Sequence, residues 1–98
     1  MPYSIEELKS IISPVAYRHG VESVSLFGSY SKGLATSESD VDLLIEKGRP
    51  MSLFQLTGFR NELEDILRLP VDVVTTSSED KEFLQSIRKD EVLLYRTA

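Results

Sequence analysis

The sequence predicts an α+β domain in which a small mixed three-stranded sheet carries helices packed on one face. Long segments with apolar residues at helical spacing follow serine residues suited to capping and predict helices. Short segments rich in valine, leucine and isoleucine lie between them and predict strands. Their order is helix, strand, short helix, strand, helix, strand, helix, which is typical of a layered domain. The 98 residues form one domain, 1–98, with a single core.

The first helix is predicted from a capping box, with Ser4 as the N-cap and Glu7 three residues later. Apolar residues follow at helical spacing, and Gly20 is typical of a helix end. Pro14 interrupts this pattern, because a proline inside a helix removes a hydrogen bond and clashes with the preceding turn. Two interpretations stay open: one kinked helix, or a second short helix that begins at Pro14 after a Ser13 cap.

The first strand is predicted over Val21 to Phe27, and Gly28-Ser29 ends it in a polar turn that carries Lys32. Gly28 lets phosphate oxygens approach the backbone, and free N–H groups at a helix start favour anions. The Ser29 hydroxyl adds a further donor. Lys32 has two interpretations, a cation that neutralises a phosphate or a solvated lysine.

The second strand is predicted over Val41 to Glu46 and begins with Asp40-Val41-Asp42. Because strand side chains alternate between faces, Asp40 and Asp42 share one face while their apolar neighbours face the core. At about 4 Å and an effective dielectric constant of ~20, two such carboxylates repel by roughly 4 kcal/mol. A bound cation relieves this repulsion, and Mg²⁺ prefers such hard oxygen ligands.

A long second helix is predicted from Ser52, with Gln55 in the reciprocal capping position and Pro70 beyond the helix end. Its predicted buried stripe consists of the apolar residues Leu53, Leu56, Phe59, Leu63, Ile66 and Leu67.

The third strand is predicted over Val71 to Thr75 and contains Asp72 among valines. An acid in a strand is costly to bury, so Asp72 is either exposed on an edge strand or part of a site with the other acids. A polar loop is predicted over Thr76 to Asp80. A final helix is predicted over Lys81 to Tyr95, with a break near Asp90 left open.

Composition excludes several classes of function. The net charge of −5 argues against broad electrostatic binding to nucleic acid, which requires neutralised phosphates. The chain has no cysteine, so it has no disulfide framework or cysteine zinc site, and a cytoplasmic location is expected. No apolar run approaches the ~18 residues of a membrane span, so no membrane partner is expected. His19, the single histidine, is interpreted as a solvated or helix-capping residue.

The spacing of Gly28-Ser29, ten residues, then Asp40-Val41-Asp42 resembles the nucleotidyltransferase superfamily that includes DNA polymerase beta. At this size the chain looks like the minimal nucleotidyltransferase (MNT) domains of that superfamily, and the resemblance covers most of the sequence. It implies that Asp40, Asp42 and Asp72 are the catalytic residues and hold two Mg²⁺ ions. It also implies that Gly28, Ser29 and Lys32 bind the triphosphate of ATP.

MNT proteins are typically paired with a small helical HEPN toxin, so the resemblance further implies a hetero-oligomer in which the MNT protein is the antitoxin. The implied activity is transfer of AMP from ATP to a toxin hydroxyl, a tyrosine in the active cases. One alternative is an antitoxin that neutralises its toxin by binding alone. A second alternative is a nucleotidyltransferase that modifies a small molecule such as an antibiotic. The complete set of three acids favours the enzyme, because a pure binder does not need mutually repelling carboxylates.

Overall fold

The computed structural model describes residues 2–76 and 80–97. In chain order the elements are α1 (Ile5–His19), β1 (Ser23–Phe27), β2 (Val41–Glu46), α2 (Leu53–Leu67), β3 (Val71–Thr75), α3 (Lys81–Arg88) and β4 (Val92–Arg96). The predicted polar loop lies partly outside these residues, at 77–79. Within the described ranges, no helix combines the length and apolar character that a membrane crossing requires.

The strands form one mixed sheet in the order β3-β2-β1-β4. β1 is antiparallel to both β2 and β4, while β2 and β3 are parallel and α2 connects them. A parallel pair needs a crossover of this kind, and the helix covers one face of the sheet. The predicted α+β class is therefore confirmed, with four strands rather than three.

The fourth strand corrects the predicted final helix. α3 ends at Arg88, and Val92–Arg96 pairs with β1 through a register shift between Val24 and Ser25. The short apolar run Val92–Leu94 fits a helix or a strand equally well, because consecutive apolar residues show no period. The free edge of β1 decides between them, since its buried backbone N–H and C=O groups need the partners that a strand supplies.

α1 and α2 pack on one face of the sheet and bury its alternate side chains. That face contributes Val24, Leu26, Val41, Leu43 and Ile45, each essentially inaccessible, and the two helices add Leu8, Ile12, Phe59 and Leu63. α3 contacts the opposite face, where the ring of Phe83 meets that of Phe27 edge-on at 6.4 Å between centroids. The face without α1 and α2 is thus partly open.

The helix caps follow the predicted chemistry. The hydroxyls of Ser4 and Ser52 each accept a hydrogen bond from the backbone N–H three residues later. The side chains of Glu7 and Gln55 in turn accept one from the backbone N–H of the capping serine. The structure also resolves the two interpretations of Pro14, because α1 continues through it without a break. The helix tolerates Pro14 at an exposed position where water can satisfy the carbonyl that loses its partner.

The predicted apolar stripe of α2 is only partly correct. Phe59, Leu63 and Leu67 are buried, but Leu53 is 79% exposed and Ile66 is 45% exposed. Both exposed residues lie at helical spacing from the buried ones, so periodicity alone cannot separate them. The sheet is narrow at β3, and α2 presents more apolar surface than this sheet covers.

Candidate active site

Two acids predicted from separate strands meet on the open face of the sheet. Asp42 on β2 lies directly beside Asp72 on β3 in the parallel register, and Phe27 of β1 lies on the other side of Asp42. Paired residues of neighbouring strands point to the same face, so the two carboxylates stand side by side. Asp40 immediately precedes β2 and is exposed.

The electrostatics of Asp42 show how closely these acids interact. Partial burial, a side-chain hydrogen bond with Asp72, and the negative charges of Asp72 and Asp40 together raise the pKa of Asp42 from 3.8 to about 6. Burial is the largest of these causes, and each of them disfavours the ionised form. The site therefore holds carboxylates at a separation that favours a proton or a cation between them.

The backbone of Gly28 lies directly against the side chain of Asp42. Its backbone has φ +73°, a conformation that residues with a Cβ rarely adopt. A Cβ at this position would overlap Oδ2 of Asp42 and would lie 3.1 Å from its Cγ. Glycine is thus required both by the turn and by the space, because the backbone approaches the acid pair closely.

The turn after Gly28 presents backbone donors to the site. Lys32 N–H donates to the Gly28 carbonyl (3.3 Å), and Leu34 N–H donates to the Ser29 carbonyl (2.9 Å). Within residues 2–76 and 80–97, the structure provides no acceptor for the N–H groups of Ser29, Tyr30 and Ser31. The predicted short helix is wrong, because residues 28–33 form turns instead, but successive unpaired N–H groups in a turn are also suited to an anion.

Lys32 lies across a small cavity from α3. Its Nζ is 4.0 Å from Oδ2 of Asp90, and both side chains are about half exposed. The cavity has a volume of about 130 Å³ and is also lined by Gly28 and Phe83. Lys32 is therefore adjacent to the Gly28 turn, as the interpretation as a phosphate-neutralising residue requires, and it carries a carboxylate partner that the sequence did not indicate.

The ligand set for a metal is only partly assembled. Within the described ranges, no three histidine, cysteine, aspartate or glutamate side chains converge closely enough to form a complete metal site. Asp42 and Asp72 do form a pair of hard oxygen donors whose repulsion a divalent cation would relieve. The residues present therefore fit Mg²⁺, and Asp40, two residues before Asp42, does not join the pair closely enough to complete the set.

His19 belongs to a different cluster, away from the acids. Its Nε2 lies 2.9 Å from Oε1 of Glu62, and its ring meets Phe59 edge-on at 5.4 Å. Hydrogen bonds from His19 and Arg18 lower the pKa of Glu62. The cluster joins α1 to α2, which is a structural role.

Sequence reasoning missed a second and larger cavity beside Asp72. It has a volume of about 300 Å³ and lies between α2 and β3, where Arg60 and Leu53 line it. No motif marks these residues, and Leu53 was predicted to be buried. Leu53 has the same helical spacing as the buried residues of α2 and differs from them only in being exposed. That exposure is a property of the fold and cannot be seen in the sequence.

The raised pKa of Asp42 predicts how the metal-free protein responds to pH. A folded pKa of about 6 against an ordinary value of 3.8 means that ionisation costs more in the folded state. The contribution of Asp42 to stability is therefore complete below pH 3.8 and is lost as the pH rises through about 6. We expect the thermal midpoint of wild type, measured in EDTA, to fall between pH 5 and pH 7 relative to that of Asp42→Asn.

The comparison with Asp42→Asn isolates this effect from the other acids. Glu62, with its lowered pKa, has the opposite sign and loses its contribution only below its ordinary value of 4.5. If the wild-type and Asp42→Asn midpoints stayed parallel from pH 5 to pH 7, Asp42 would not carry the raised pKa.

Comparison with known proteins places these features in a family. The family model "Polymerase beta, Nucleotidyltransferase" matches residues 8–98. A candidate protein adenylyltransferase of Methanocaldococcus jannaschii is 38% identical over 90 residues, which cover 92% of this chain and 91% of that protein. The protein adenylyltransferase MntA of Thermococcus cleftensis is 37% identical over 79 residues, which cover 76% of this chain and 80% of that one.

A solved structure shares the fold. It is the complex of an MNT antitoxin with a tri-AMPylated HEPN toxin from Shewanella oneidensis, and the similarity has a TM-score of 0.75 at 19% identity. The match covers 95% of this chain and 73% of that one. At this identity the likeness concerns the fold alone.

Proposed function

The chain belongs to the polymerase beta nucleotidyltransferase family, and on that premise we propose that it transfers AMP from ATP to a hydroxyl group of a partner HEPN toxin. A tyrosine is the proposed acceptor, and the modification would neutralise the toxin, so the chain would act as an antitoxin. The observation that carries this proposal is the Asp42–Asp72 pair beside a turn in which only glycine fits. The carboxylates of Asp42 and Asp72 repel each other, and catalysis, rather than binding alone, explains why a small protein keeps them side by side.

Mg²⁺ fits the acids, and Asp40, Asp42 and Asp72 are the residues proposed to hold two ions. When bound, the metal would neutralise phosphate oxygens and stabilise the entering and leaving oxygens of the transfer. The raised pKa of Asp42 supports this assignment, because burial first, and then the hydrogen bond with Asp72 and the charges of Asp72 and Asp40, disfavour an ionised form that a bound cation would stabilise.

Other residues of the chain are proposed to bind the triphosphate and to accept the hydroxyl proton. The N–H groups after Gly28 and the Ser29 hydroxyl would hold the β- and γ-phosphates, and Lys32 would exchange Asp90 for a phosphate. The acceptor oxygen attacks the α-phosphorus, and the bond from that phosphorus to the bridging oxygen breaks as pyrophosphate leaves. Asp72, the exposed member of the acid pair, would take the hydroxyl proton.

The proposed partner follows from the relatives. Two of them bear the name protein adenylyltransferase, and the structural neighbour is an MNT antitoxin bound to an AMPylated HEPN toxin. The net charge of −5 supports a protein rather than a nucleic acid as the acceptor. We further propose that residues 1–98 act as a single MNT domain in the cytoplasm, assembled with the toxin as a hetero-oligomer.

Asp72→Asn tests the proposal directly. Wild type, the cognate HEPN protein, MgCl₂ and ATP labelled at the α-phosphate are expected to yield label on the HEPN protein. The Asn variant keeps the shape of the side chain but removes the proton acceptor and a ligand charge, so we expect label transfer to fall by roughly 10²–10⁴-fold. The rate of label incorporation is the measurement.

The control is the fold of the variant, followed by circular dichroism and by co-purification with the HEPN protein. Asp72 is exposed, so both should be retained. If wild type and Asp72→Asn both neutralise the toxin and neither complex carries label, the chain is instead an antitoxin that acts by binding alone.

A further inference from the structure

The open face of the sheet carries a small cavity next to the acids, and α3 forms one of its walls. We call this space the α3 cavity. It has a volume of about 130 Å³ and lies between Phe27 and Gly28 at the end of β1 and Phe83 and Ile87 of α3. Phe27 is the cross-strand neighbour of Asp42, and the backbone of Gly28 lies against the carboxylate of Asp42. The α3 cavity and the acid pair therefore share one face of the sheet.

The walls of the α3 cavity are aromatic and aliphatic. The ring of Phe83 meets that of Phe27 edge-on with centroids 6.4 Å apart, and Ile87 is buried. Phe83 is nevertheless 42% exposed, so the fold covers only part of this side chain. A partly exposed aromatic ring is suited to stack on a nucleobase, because every base has a flat π-face.

The size of the α3 cavity fits one part of a nucleotide. Its volume of about 130 Å³ is several times that of a water molecule in the liquid, about 30 Å³, but well below the ~300–1,000 Å³ of a pocket that encloses a whole drug-sized ligand. A base can therefore enter the cavity while the ribose and the phosphates lie outside it on the open face.

The position of the α3 cavity relative to Asp42 leaves room for the rest of the nucleotide. Asp72, which is proposed to accept the proton of the attacking hydroxyl, lies on the β3 side of Asp42, so the nucleoside has to lie elsewhere. Phe27 lies on the opposite side, one strand spacing of about 5 Å from Asp42. This spacing accommodates a ribose between an α-phosphate at the acids and a base against Phe83.

We infer that the α3 cavity is the nucleoside subsite of the chain and that Phe83 stacks on the base of the bound nucleoside triphosphate. Gly28 and Lys32 line the same cavity, so the base borders the turn that is proposed to hold the phosphates. Phe83 contributes affinity for the nucleotide and takes no part in proton transfer or metal binding. This inference rests on the proposed function for the position of the triphosphate.

Phe83→Leu tests the stacking surface, because it removes the flat ring and keeps an apolar side chain. We expect the KM for ATP to rise about tenfold with kcat nearly unchanged, since base–aromatic stacking contributes affinity of this order. The inhibition constant of tripolyphosphate, which has the phosphates but no base, should equal that of wild type. Phe83→Trp keeps an aromatic face and should retain the wild-type KM for ATP.

Phe54→Leu is the matched control, because Phe54 is 91% exposed on α2, which packs on the other face of the sheet. Its KM for ATP and its inhibition constant for tripolyphosphate should both equal those of wild type. If Phe83→Leu weakens tripolyphosphate binding as much as ATP binding, Phe83 only supports the phosphate-binding turn and the nucleoside subsite is overturned.

Calorimetric titration with AMP-PNP and MgCl₂, without the HEPN protein, separates this inference from the proposed function. We expect the Kd of Phe83→Leu to exceed that of wild type about tenfold. Equal Kd values for the two proteins would overturn the nucleoside subsite even if label transfer is normal. A higher Kd for Phe83→Leu, in a chain that transfers no label, would retain the subsite and overturn the enzymatic proposal. If wild type binds no AMP-PNP, both proposals fail.

Discussion

Asp42→Asn is expected to abolish AMP transfer while making the metal-free protein more stable at neutral pH. The loss of activity should be roughly 10³-fold or more, because the variant loses a proposed metal ligand of the acid pair. The gain in stability follows from the raised pKa of Asp42, since an uncharged asparagine removes the cost of ionising a carboxyl that is partly buried and lies beside Asp72 and Asp40. Label transfer to the HEPN protein and the thermal midpoint in EDTA at pH 7.5 are the two measurements.

These opposite effects distinguish a catalytic acid from a structural one. Replacing a carboxylate that stabilises the fold through an ion pair would lower the midpoint, whereas Asp42 forms no ion pair with any basic residue that the structure describes and lies among other acids. Added Mg²⁺ should raise the midpoint of wild type and leave that of Asp42→Asn nearly unchanged. A variant that is less stable than wild type in EDTA would contradict the account of the site.

The site could be predicted to a large extent because its chemistry is local in the sequence. The alternation of Asp40-Val41-Asp42 fixes which side chains leave the core, and the structure places Asp42 on the open face as expected. Asp72 could be joined to Asp42 only through the resemblance, because the parallel register between β2 and β3 is a long-range property. The spacing of residues along the sequence does not by itself specify which residues of two strands lie opposite each other.

The parts that could not be predicted depend on tertiary contacts. The strand Val92–Arg96 exists because β1 offers a free edge, and a run of three apolar residues does not reveal that edge. The exposure of Leu53 likewise depends on where the sheet ends, although its helical spacing matches that of the buried Phe59. Local caps such as Ser4 and Ser52 were predicted correctly, since a cap needs only the residues next to it.

Gly28→Ala is the second substitution with a large expected effect, and it tests the geometry of the turn rather than its charge. The added Cβ would overlap Oδ2 of Asp42, and φ +73° costs an alanine about 1–2 kcal/mol. Relief of the overlap requires the turn to move away from β2, which would separate the Ser29 N–H from the acids. We expect AMP transfer to fall by roughly 10²-fold or more, since such displacements of about 1 Å carry this cost.

Gly33→Ala is the matched control, because Gly33 has the same φ of +73° but open space where the Cβ would lie. It should lose about 1–2 kcal/mol of stability from backbone strain alone and keep nearly all transfer activity. The difference between the two variants therefore measures the contact with Asp42 rather than the turn conformation. Equal loss of transfer in both would show that the turn needs only its conformation, and the close approach of Gly28 to the acid pair would then have no catalytic role.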